Sequence, residues 1–227
     1  MTQRSERKPR SRSYHHGTLR ETLISEGRRM LEKTGPVELS LRQVARSAGV
    51  SEAAPARHFD GKDGLLAAIA TQGFQELTAI RREIVARKLD NLRTAYEMMR
   101  SYVDFAIGKK GVFNLMVGPR LIEKRRHEAL QAAGAESFEY FAMAVKNLAN
   151  ESGWPEHQVE LVAHFAWSVE HGLATLILGD RAPRSSRGMT LDEMIGFSIS
   201  FALNAIRSGP SNFEEVMAIV DPQGSQN

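Results

Sequence analysis

Four polar residues that follow position 50 have side chains suited to binding a polyanion. Ser51 can donate a hydrogen bond to a phosphate oxygen, and Lys62 carries a compact positive charge. Arg57 can hold a phosphate or read guanine through two parallel hydrogen bonds, and His58 lies directly beside it. If the fold brings these side chains onto one surface, they predict contact with nucleic acid.

The segment that must position these residues runs from Leu41 to Phe59 and is predicted to form two short helices joined by a tight turn. Ser40 is suited to cap the first helix, and Gly49 favours the left-handed conformation that ends one. Ser51 is predicted to cap the second helix. An ordinary helical hairpin has the same spacing, so on spacing alone both interpretations stay open. The apolar face of the first helix comprises Leu41, Val44, Ala45 and Ala48.

The segments around this hairpin resemble the DNA-binding domain of the TetR family of bacterial transcription regulators. The matching segments are SLRQVA at 40–45, AGVS at 48–51 and RHFDGKDGLL at 57–66, within a similarity that covers about 19–70. The resemblance implies a helix-turn-helix whose second helix enters the major groove. The DNA contacts predicted on this basis are Ser40, Arg42, Ser51, Glu52, Ala53, Ala54, Arg57, His58 and Lys62.

The second helix departs from the family pattern at two positions. The family has an aromatic residue, most often Tyr, where this chain has Ala56, so Arg57 and His58 are expected to carry more of the contact. Pro55 is expected to cost little, because the amides of a first helical turn are unbonded anyway. Lys62 resembles the phosphate-contacting lysine of the family and lies at the start of the next helix, which also favours an anion. Phe59 is predicted to lie in the core.

Composition places the chain among soluble globular proteins, with 227 residues, 42% hydrophobic and 25% charged. The absence of cysteine excludes disulfides and thiolate metal sites and suits a reducing compartment. The first ten residues lack the apolar core of a signal peptide. No apolar run approaches the roughly 20 residues of a membrane span. We therefore expect a cytoplasmic protein that does not interact with a membrane.

Positive charge is concentrated at the N-terminus. Residues 1–62 contain 13 Lys and Arg against 7 Asp and Glu, whereas residues 63–227 contain 17 against 20. We predict a basic, disordered arm at 1–17 that lies along the DNA backbone or in the minor groove, although a merely solvated tail would have the same composition. The predicted divisions that follow are a helix-turn-helix domain at 18–66, a regulatory and dimerisation domain at 67–208, and a tail at 209–227.

The periodicity of apolar residues predicts an all-α chain, because no strand-like alternation or internal repeat occurs. A long helix at about 62–88 leads from the DNA-binding domain into the second domain. In TetR proteins this helix couples a bound ligand to movement of the DNA-binding domain, although a plain scaffold helix would have the same pattern. The other helices are predicted at about 18–34, 91–108, 109–117, 120–152 with a break near 133–134, 155–179 and 191–208.

Trp167 and His171 belong to a Trp-x-x-x-His-Gly-Leu motif that resembles the C-terminal domain of one TetR subgroup. They lie one helical turn apart and could line an apolar pocket with a few polar groups, although core packing explains them equally well. His171 is spaced by seven from His164, and so about 10.5 Å from it, which is too far for a shared zinc ion. We predict no metal and no cofactor. The predicted ligand contacts are Met99, Tyr102, Phe105, Phe113, Met116, Phe141, Trp167 and His171.

Three functions remain open at this stage. The first is a homodimeric repressor that binds a palindromic operator and is released by a small apolar ligand. Apolar residues of the last two helices, including Ala163, Ala166, Phe197 and Phe201, are expected to form its dimer interface. The second is a ligand-independent, architectural DNA-binding protein, which a body without a cavity would favour. The third, an α-helical enzyme, lacks any phosphate loop, His-Glu-x-x-His motif or locally supported catalytic triad, so we predict no enzymatic activity. A pocket that holds a strongly perturbed acid–base pair would favour it.

Overall fold

The computed structural model describes residues 16–117, 126–181 and 188–211. No strand occurs in these three ranges, which confirms the all-α prediction. The predicted basic arm, except for residues 16 and 17, and nearly all of the predicted tail lie outside the described residues. The helices in the described ranges are α1 (His16–Glu38), α2 (Leu41–Ser47), α3 (Gly61–Ala86), α4 (Asn91–Gly108), α5 (Lys110–Val117), α6 (Glu128–Glu151), α7 (Glu156–Leu178) and α8 (Leu191–Arg207).

The first two helices begin and end where the sequence predicts. Gly35 interrupts α1 with a left-handed φ of 76°, so the regular helix stops there. The Ser40 hydroxyl accepts the Gln43 amide while the Gln43 side chain accepts the Ser40 amide, a reciprocal cap that confirms the predicted start of α2. Gly49 has a φ of 69° immediately after α2, which confirms its role as the residue that ends the helix.

The predicted second helix of the hairpin is wrong, because only a three-residue 3₁₀ helix, Pro55–Arg57, forms there. In a helix capped by Ser51, the first intrahelical hydrogen bond would run from the amide of residue 55 to the Ser51 carbonyl. Proline has no amide proton, so the Ser51 carbonyl accepts the Ala54 amide at 2.9 Å instead. Pro55 therefore changes the local structure, contrary to the expectation that it would cost little.

The long helix α3 joins two hydrophobic cores. Leu65 and Ile69 are fully buried in a first core, which also contains residues of α1 and α2. The same core continues into α4 and α5 through Tyr102 and Phe113, so it crosses the predicted boundary between residues 66 and 67. A second core contains Ile84, near the end of α3, and buried residues of α4, α6, α7 and α8. Phe59 is only 6% exposed in the first core, as predicted.

The body helices follow the prediction with two corrections, of which the first is that α6 begins at Glu128, after the non-helical residue His127, and not near 120. Helix α6 continues without a break through 133–134, where Gly134 is accommodated beside the ring of Phe74. Helix α8 begins with a reciprocal cap between Thr190 and Glu193, which confirms the predicted cap at Thr190.

Helix α5 is bonded at its N-terminus to α1. The Glu32 carboxylate accepts the amide of Gly111 at 2.8 Å and that of Val112 at 3.1 Å. These first-turn amides have no partner within their own helix, so a carboxylate from α1 satisfies them and complements the helix dipole. A Cβ at Gly111 would lie 2.9 Å from the Leu31 carbonyl oxygen, which shows how closely α5 approaches α1.

We expect Gly111→Ala to lower the free energy of unfolding by about 1–3 kcal/mol, because the new methyl group must push α5 away from the α1 backbone. Gly108→Ala is the matched control, since a Cβ at that position meets nothing within 4 Å. Urea denaturation at equal protein concentration measures both variants. Equal stabilities of the two variants would contradict the proposed close contact.

One helix in the described ranges, α7, is long and apolar enough to cross a membrane by length and composition only. The helix has 23 residues, and a window of 18 of them has a mean hydropathy of 1.3. Scattered polar residues keep the uninterrupted apolar runs of α7 short. In the structure one side of α7 packs against α4 and α6, where Ala163 and Ala166 are fully buried.

Candidate nucleic-acid interface and ligand cavity

Two arginines of α2 are held by one carboxylate of the hairpin. The Arg46 Nε and Nη2 atoms donate to Glu52 Oε1 at 2.9 and 2.7 Å, and Arg42 Nε lies 3.6 Å from Glu52 Oε2. These hydrogen bonds lower the pKa of the Glu52 carboxyl, with Arg46 as the main cause. All three side chains are largely exposed, so water screens the interaction and the arginines remain able to exchange partners.

Arg57 differs from Arg42 and Arg46 because no carboxylate pairs with it among the described residues. Its side chain is exposed on the 3₁₀ helix, next to the exposed Ala56. Ser51 and Ala53 are also exposed, whereas Ala54 and His58 are partly buried. The outer face of the hairpin therefore presents one unneutralised cation, Arg57, among small side chains.

Lys62 and Ser40 are already engaged within the protein. Lys62 Nζ donates to the Val37 carbonyl oxygen at 2.8 Å, which joins the start of α3 to the end of α1. The Ser40 hydroxyl is used in the cap of α2. Helix α3 has no side-chain cap from Asp60, and the amide of its first residue, Gly61, donates to the Phe59 carbonyl oxygen at 3.0 Å. DNA contact by these residues stays a prediction.

A cavity of about 630 Å³ lies in the body between α3, α4, α5, α6 and α7. Four of the eight predicted ligand contacts line it, namely Tyr102, Met116, Trp167 and His171. Most of the remaining wall is apolar or aromatic, which is typical of small-molecule sites. The other lining residues are Phe74, Leu77, Arg81, Val117, Leu130, Gln131, Gly134, Ala135, Ser137, Phe138 and Glu170.

The other four predicted contacts do not line this cavity. Met99 and Phe141 are fully buried in the second core, while Phe105 and Phe113 are 5% and 1% exposed in the first. These four residues lie on the core-facing sides of their helices. The apolar type of a residue therefore does not distinguish residues that line the cavity from residues that pack in the core. Phe113 nevertheless supports the wall from behind, with its ring in edge-to-face contact with Tyr102 at 5.1 Å.

A buried ion pair, which the sequence interpretation missed, lies in the cavity wall. Arg81 is 3% exposed and Glu170 is 0% exposed, and Arg81 Nη2 lies 3.5 Å from Glu170 Oε1. Arg81 Nη1 also donates to the carbonyl and the hydroxyl oxygens of Ser137, at 2.6 and 3.0 Å. Burial raises the pKa of the Glu170 carboxyl, and the positive charge of Arg81 opposes that rise. A signal was present in the sequence, since Arg81 interrupts the apolar stripe of α3 between Leu77 and Ile84.

A second polar group in the wall is the pair formed by Tyr102 and His171. Tyr102 Oη lies 2.9 Å from His171 Nδ1, and the His171 ring stacks on Trp167 with centroids 5.5 Å apart. Burial raises the pKa of the Tyr102 phenol, and the nearby Glu170 carboxylate raises it further. Burial also lowers the pKa of the His171 imidazole. Both groups are therefore neutral at physiological pH.

The outer face of α7 and α8 is strongly apolar. Phe197 and Phe201 are 70% and 68% exposed and stack on one another, and Leu161 and Phe165 lie exposed on α7. A groove of about 470 Å³ runs between the two helices beside Phe165 and Phe201. The expected interface is therefore corrected in part, because Ala163 and Ala166 are core residues while Phe197 and Phe201 are on this face.

The comparisons with known proteins agree with this architecture. A family model described as bacterial regulatory proteins of the tetR family matches residues 23–69, and one described as tetracyclin repressor-like, C-terminal domain matches 95–196. A comparison with curated proteins gives no match.

Solved structures share the fold over most of the chain. A protein of unknown function from Rhodococcus sp. RHA1 is 30% identical with a TM-score of 0.72, covering 86% of this chain and 98% of that one. The TetR family transcriptional regulator PfmR from Thermus thermophilus is 17% identical, with a TM-score of 0.60 and coverages of 80% and 97%. A TetR/AcrR family regulator from Thermobifida fusca is 16% identical, with a TM-score of 0.60 and coverages of 82% and 96%. The chain therefore belongs to the TetR family of bacterial transcriptional regulators.

Proposed function

We propose that this regulator is a homodimeric repressor that leaves a palindromic operator when a small, uncharged ligand enters the body cavity. The observation that carries the proposal is the position of α3. Lys62 lies in the first turn of this helix, at the DNA-binding end, while Leu77 and Arg81 of the same helix line the cavity. A ligand that moves α3 would therefore also move the start of the helix relative to DNA, which is a shift between two populated arrangements.

The DNA-binding surface in this proposal consists of the nine residues predicted from the family resemblance. Arg57 is its principal cation, because Glu52 competes with DNA for Arg42 and Arg46. Release of these two arginines from Glu52 would accompany phosphate binding, so they contribute less net attraction than their charge suggests. The basic arm adds further positive charge, and the protein acts on DNA in the cytoplasm.

The dimer in this proposal forms through the exposed faces of α7 and α8. Phe197 and Phe201 on α8 and Leu161 and Phe165 on α7 make a contiguous apolar surface that a second copy would cover. One hairpin contains a single three-residue 3₁₀ helix and buries little surface on DNA. Two copies would add their binding energies on two symmetric half-sites.

A titration of the purified chain against duplex DNA from upstream of its own gene tests the proposal. We expect binding that weakens steeply as salt increases, and loss of binding when a ligand of the cavity is added. If the dimer does not bind that DNA, or binds it with an affinity that does not depend on salt, the repressor proposal is contradicted. Binding that no cavity ligand weakens would instead favour the ligand-independent, architectural function.

The cavity weakens the case for the architectural function, and the geometry of Glu170 weakens the case for an enzyme. Glu170 has the raised pKa that a catalytic acid could use, but its side chain is 0% exposed and pairs with Arg81. A general acid must reach the reacting atom within hydrogen-bonding distance, and the Glu170 carboxylate is fully buried beside Arg81. The pair therefore supports a role in shaping the cavity.

A further inference from the structure

The electrostatic character of the cavity follows from the way in which its two charged residues are buried. Arg81 and Glu170 are 3% and 0% exposed and face one another at 3.5 Å, so their charges compensate locally. An ionised ligand would bring a third charge beside a pair of opposite charges that already face one another. Such a charge pays a desolvation cost that no free counter-charge in the described part of the wall offsets.

One polar group of the cavity wall that a ligand can reach is His171. The Tyr102 hydroxyl has no other acceptor among the described residues, so it donates to His171 Nδ1. The neutral imidazole then carries its proton on Nε2, which makes no hydrogen bond to any described residue. His171 is partly exposed and lines the cavity, so it offers one neutral donor to a ligand.

The walls around this donor are aromatic. Trp167 stacks on the His171 ring, and Phe138 meets Trp167 edge-to-face with centroids 6.1 Å apart. Phe74 lines the same cavity beside Gly134. Aromatic faces and edges of this kind favour a flat ring as the body of the ligand.

We propose that the cavity takes an uncharged aromatic ligand with a hydrogen-bond acceptor, such as a ketone or amide carbonyl, that binds His171 Nε2–H. The paired charges of Arg81 and Glu170 exclude carboxylates and ammonium ions of the same shape. This inference rests on the proposed ligand-binding function and specifies the chemistry of that site.

Four probes on one naphthalene skeleton test the inference by calorimetry on the full-length protein without DNA. They are acetylnaphthalene, ethylnaphthalene, naphthoate and naphthylmethylammonium. We expect acetylnaphthalene to bind most tightly and the two ions to bind about tenfold more weakly or worse. Ethylnaphthalene lacks the acceptor and should bind about three- to tenfold more weakly. Equal or tighter binding of either ion, or no binding of the ketone, would overturn the inference.

Two variants assign the selectivity to the named residues. His171→Phe keeps an aromatic ring but removes the donor, so the ketone and the ethyl compound should then bind equally. Glu170→Gln leaves Arg81 uncompensated, so naphthoate should gain about tenfold relative to the ketone. The inference is contradicted if His171→Phe still binds the ketone more tightly than the ethyl compound. It is also contradicted if Glu170→Gln folds and its affinity for naphthoate relative to the ketone is unchanged. If Glu170→Gln does not fold, the ranking of the four probes on the wild-type protein still decides.

Failure of this inference and failure of the regulatory proposal are distinguishable. If the ketone binds but does not change the affinity for DNA, the inferred ligand class is supported and the proposed ligand-controlled repressor is contradicted. Release of DNA by naphthoate but not by the ketone would leave the regulatory proposal standing and remove the inferred ligand class.

Discussion

Replacement of Arg81 by methionine is expected to lower the free energy of unfolding by about 3–5 kcal/mol, because it leaves the fully buried Glu170 without a counter-charge. The loss exceeds that of an ordinary core substitution, since the Glu170 side chain is fully buried. Urea denaturation at a fixed protein concentration measures it. Arg82→Met is the matched control, because Arg82 lies next in the chain but is exposed and pairs with Glu136 at the surface. We expect that control to change stability by less than about 1 kcal/mol.

The cost of Arg81→Met should depend on pH in a defined direction. Burial raises the folded-state pKa of the Glu170 carboxyl above its unfolded value. A carboxyl with a raised folded pKa is more stable protonated in the folded chain, so its contribution is favourable at low pH and is lost as pH rises. The deficit of the variant relative to wild type should therefore shrink as pH falls and the Glu170 carboxyl becomes protonated in the folded chain. A deficit that grows as pH falls would contradict the assignment to Glu170.

Replacement of Arg57 by alanine is expected to weaken operator binding by about 1–3 kcal/mol for each half-site, the largest loss of any single hairpin substitution. Arg57 is the exposed hairpin cation that no described carboxylate neutralises, and the adjacent Ala56 offers no aromatic contact in its place. Ser51→Ala should cost less, because it removes one neutral hydrogen-bond donor. A fluorescence titration against one duplex at several salt concentrations measures both.

Arg93→Ala controls for the general loss of positive charge. Arg93 lies beyond the far end of α3, is highly exposed and sits beside Asp90, so its removal should not alter DNA affinity. Equal small losses for Arg57→Ala and Ser51→Ala would refute the special role of Arg57. If Arg57→Ala lowers the affinity equally for unrelated DNA sequences, Arg57 contacts phosphate. If the affinity falls for one sequence only, Arg57 contacts a base.

Local chemistry explains which parts of the fold the sequence predicted. The caps at Ser40 and Thr190 and the stop at Gly49 depend on residues within four positions, so their residue types were sufficient. The second hairpin helix failed for an equally local reason, the missing amide of Pro55 at the donor position of the first hydrogen bond.

Only four of the eight predicted ligand contacts line the cavity, because a residue lines it only where its side of the helix faces the open space. Tyr102 and Phe105 are three residues apart on α4, yet only Tyr102 lines the cavity. The ion pair of Arg81 with Glu170 joins residues 89 positions apart in sequence, so periodicity in one helix could not reveal its partner. The charged residue Arg81 inside the apolar stripe of α3 indicated one member of the pair, but nothing nearby in the sequence indicated which residue carries the opposite charge.

The hydrophobic core that continues from α1 through α3 into α4 and α5 limits how this regulator can be recombined with its relatives. A chimera joined between residues 66 and 67 would separate Leu65 from Phe113 and would also break the bonds from Glu32 to the first turn of α5. Both halves would then expose apolar surface that the foreign partner was not shaped to cover. An exchange of operator specificity should therefore transplant only the exposed residues of the hairpin and keep the host's own α1, α3 and α5 contacts.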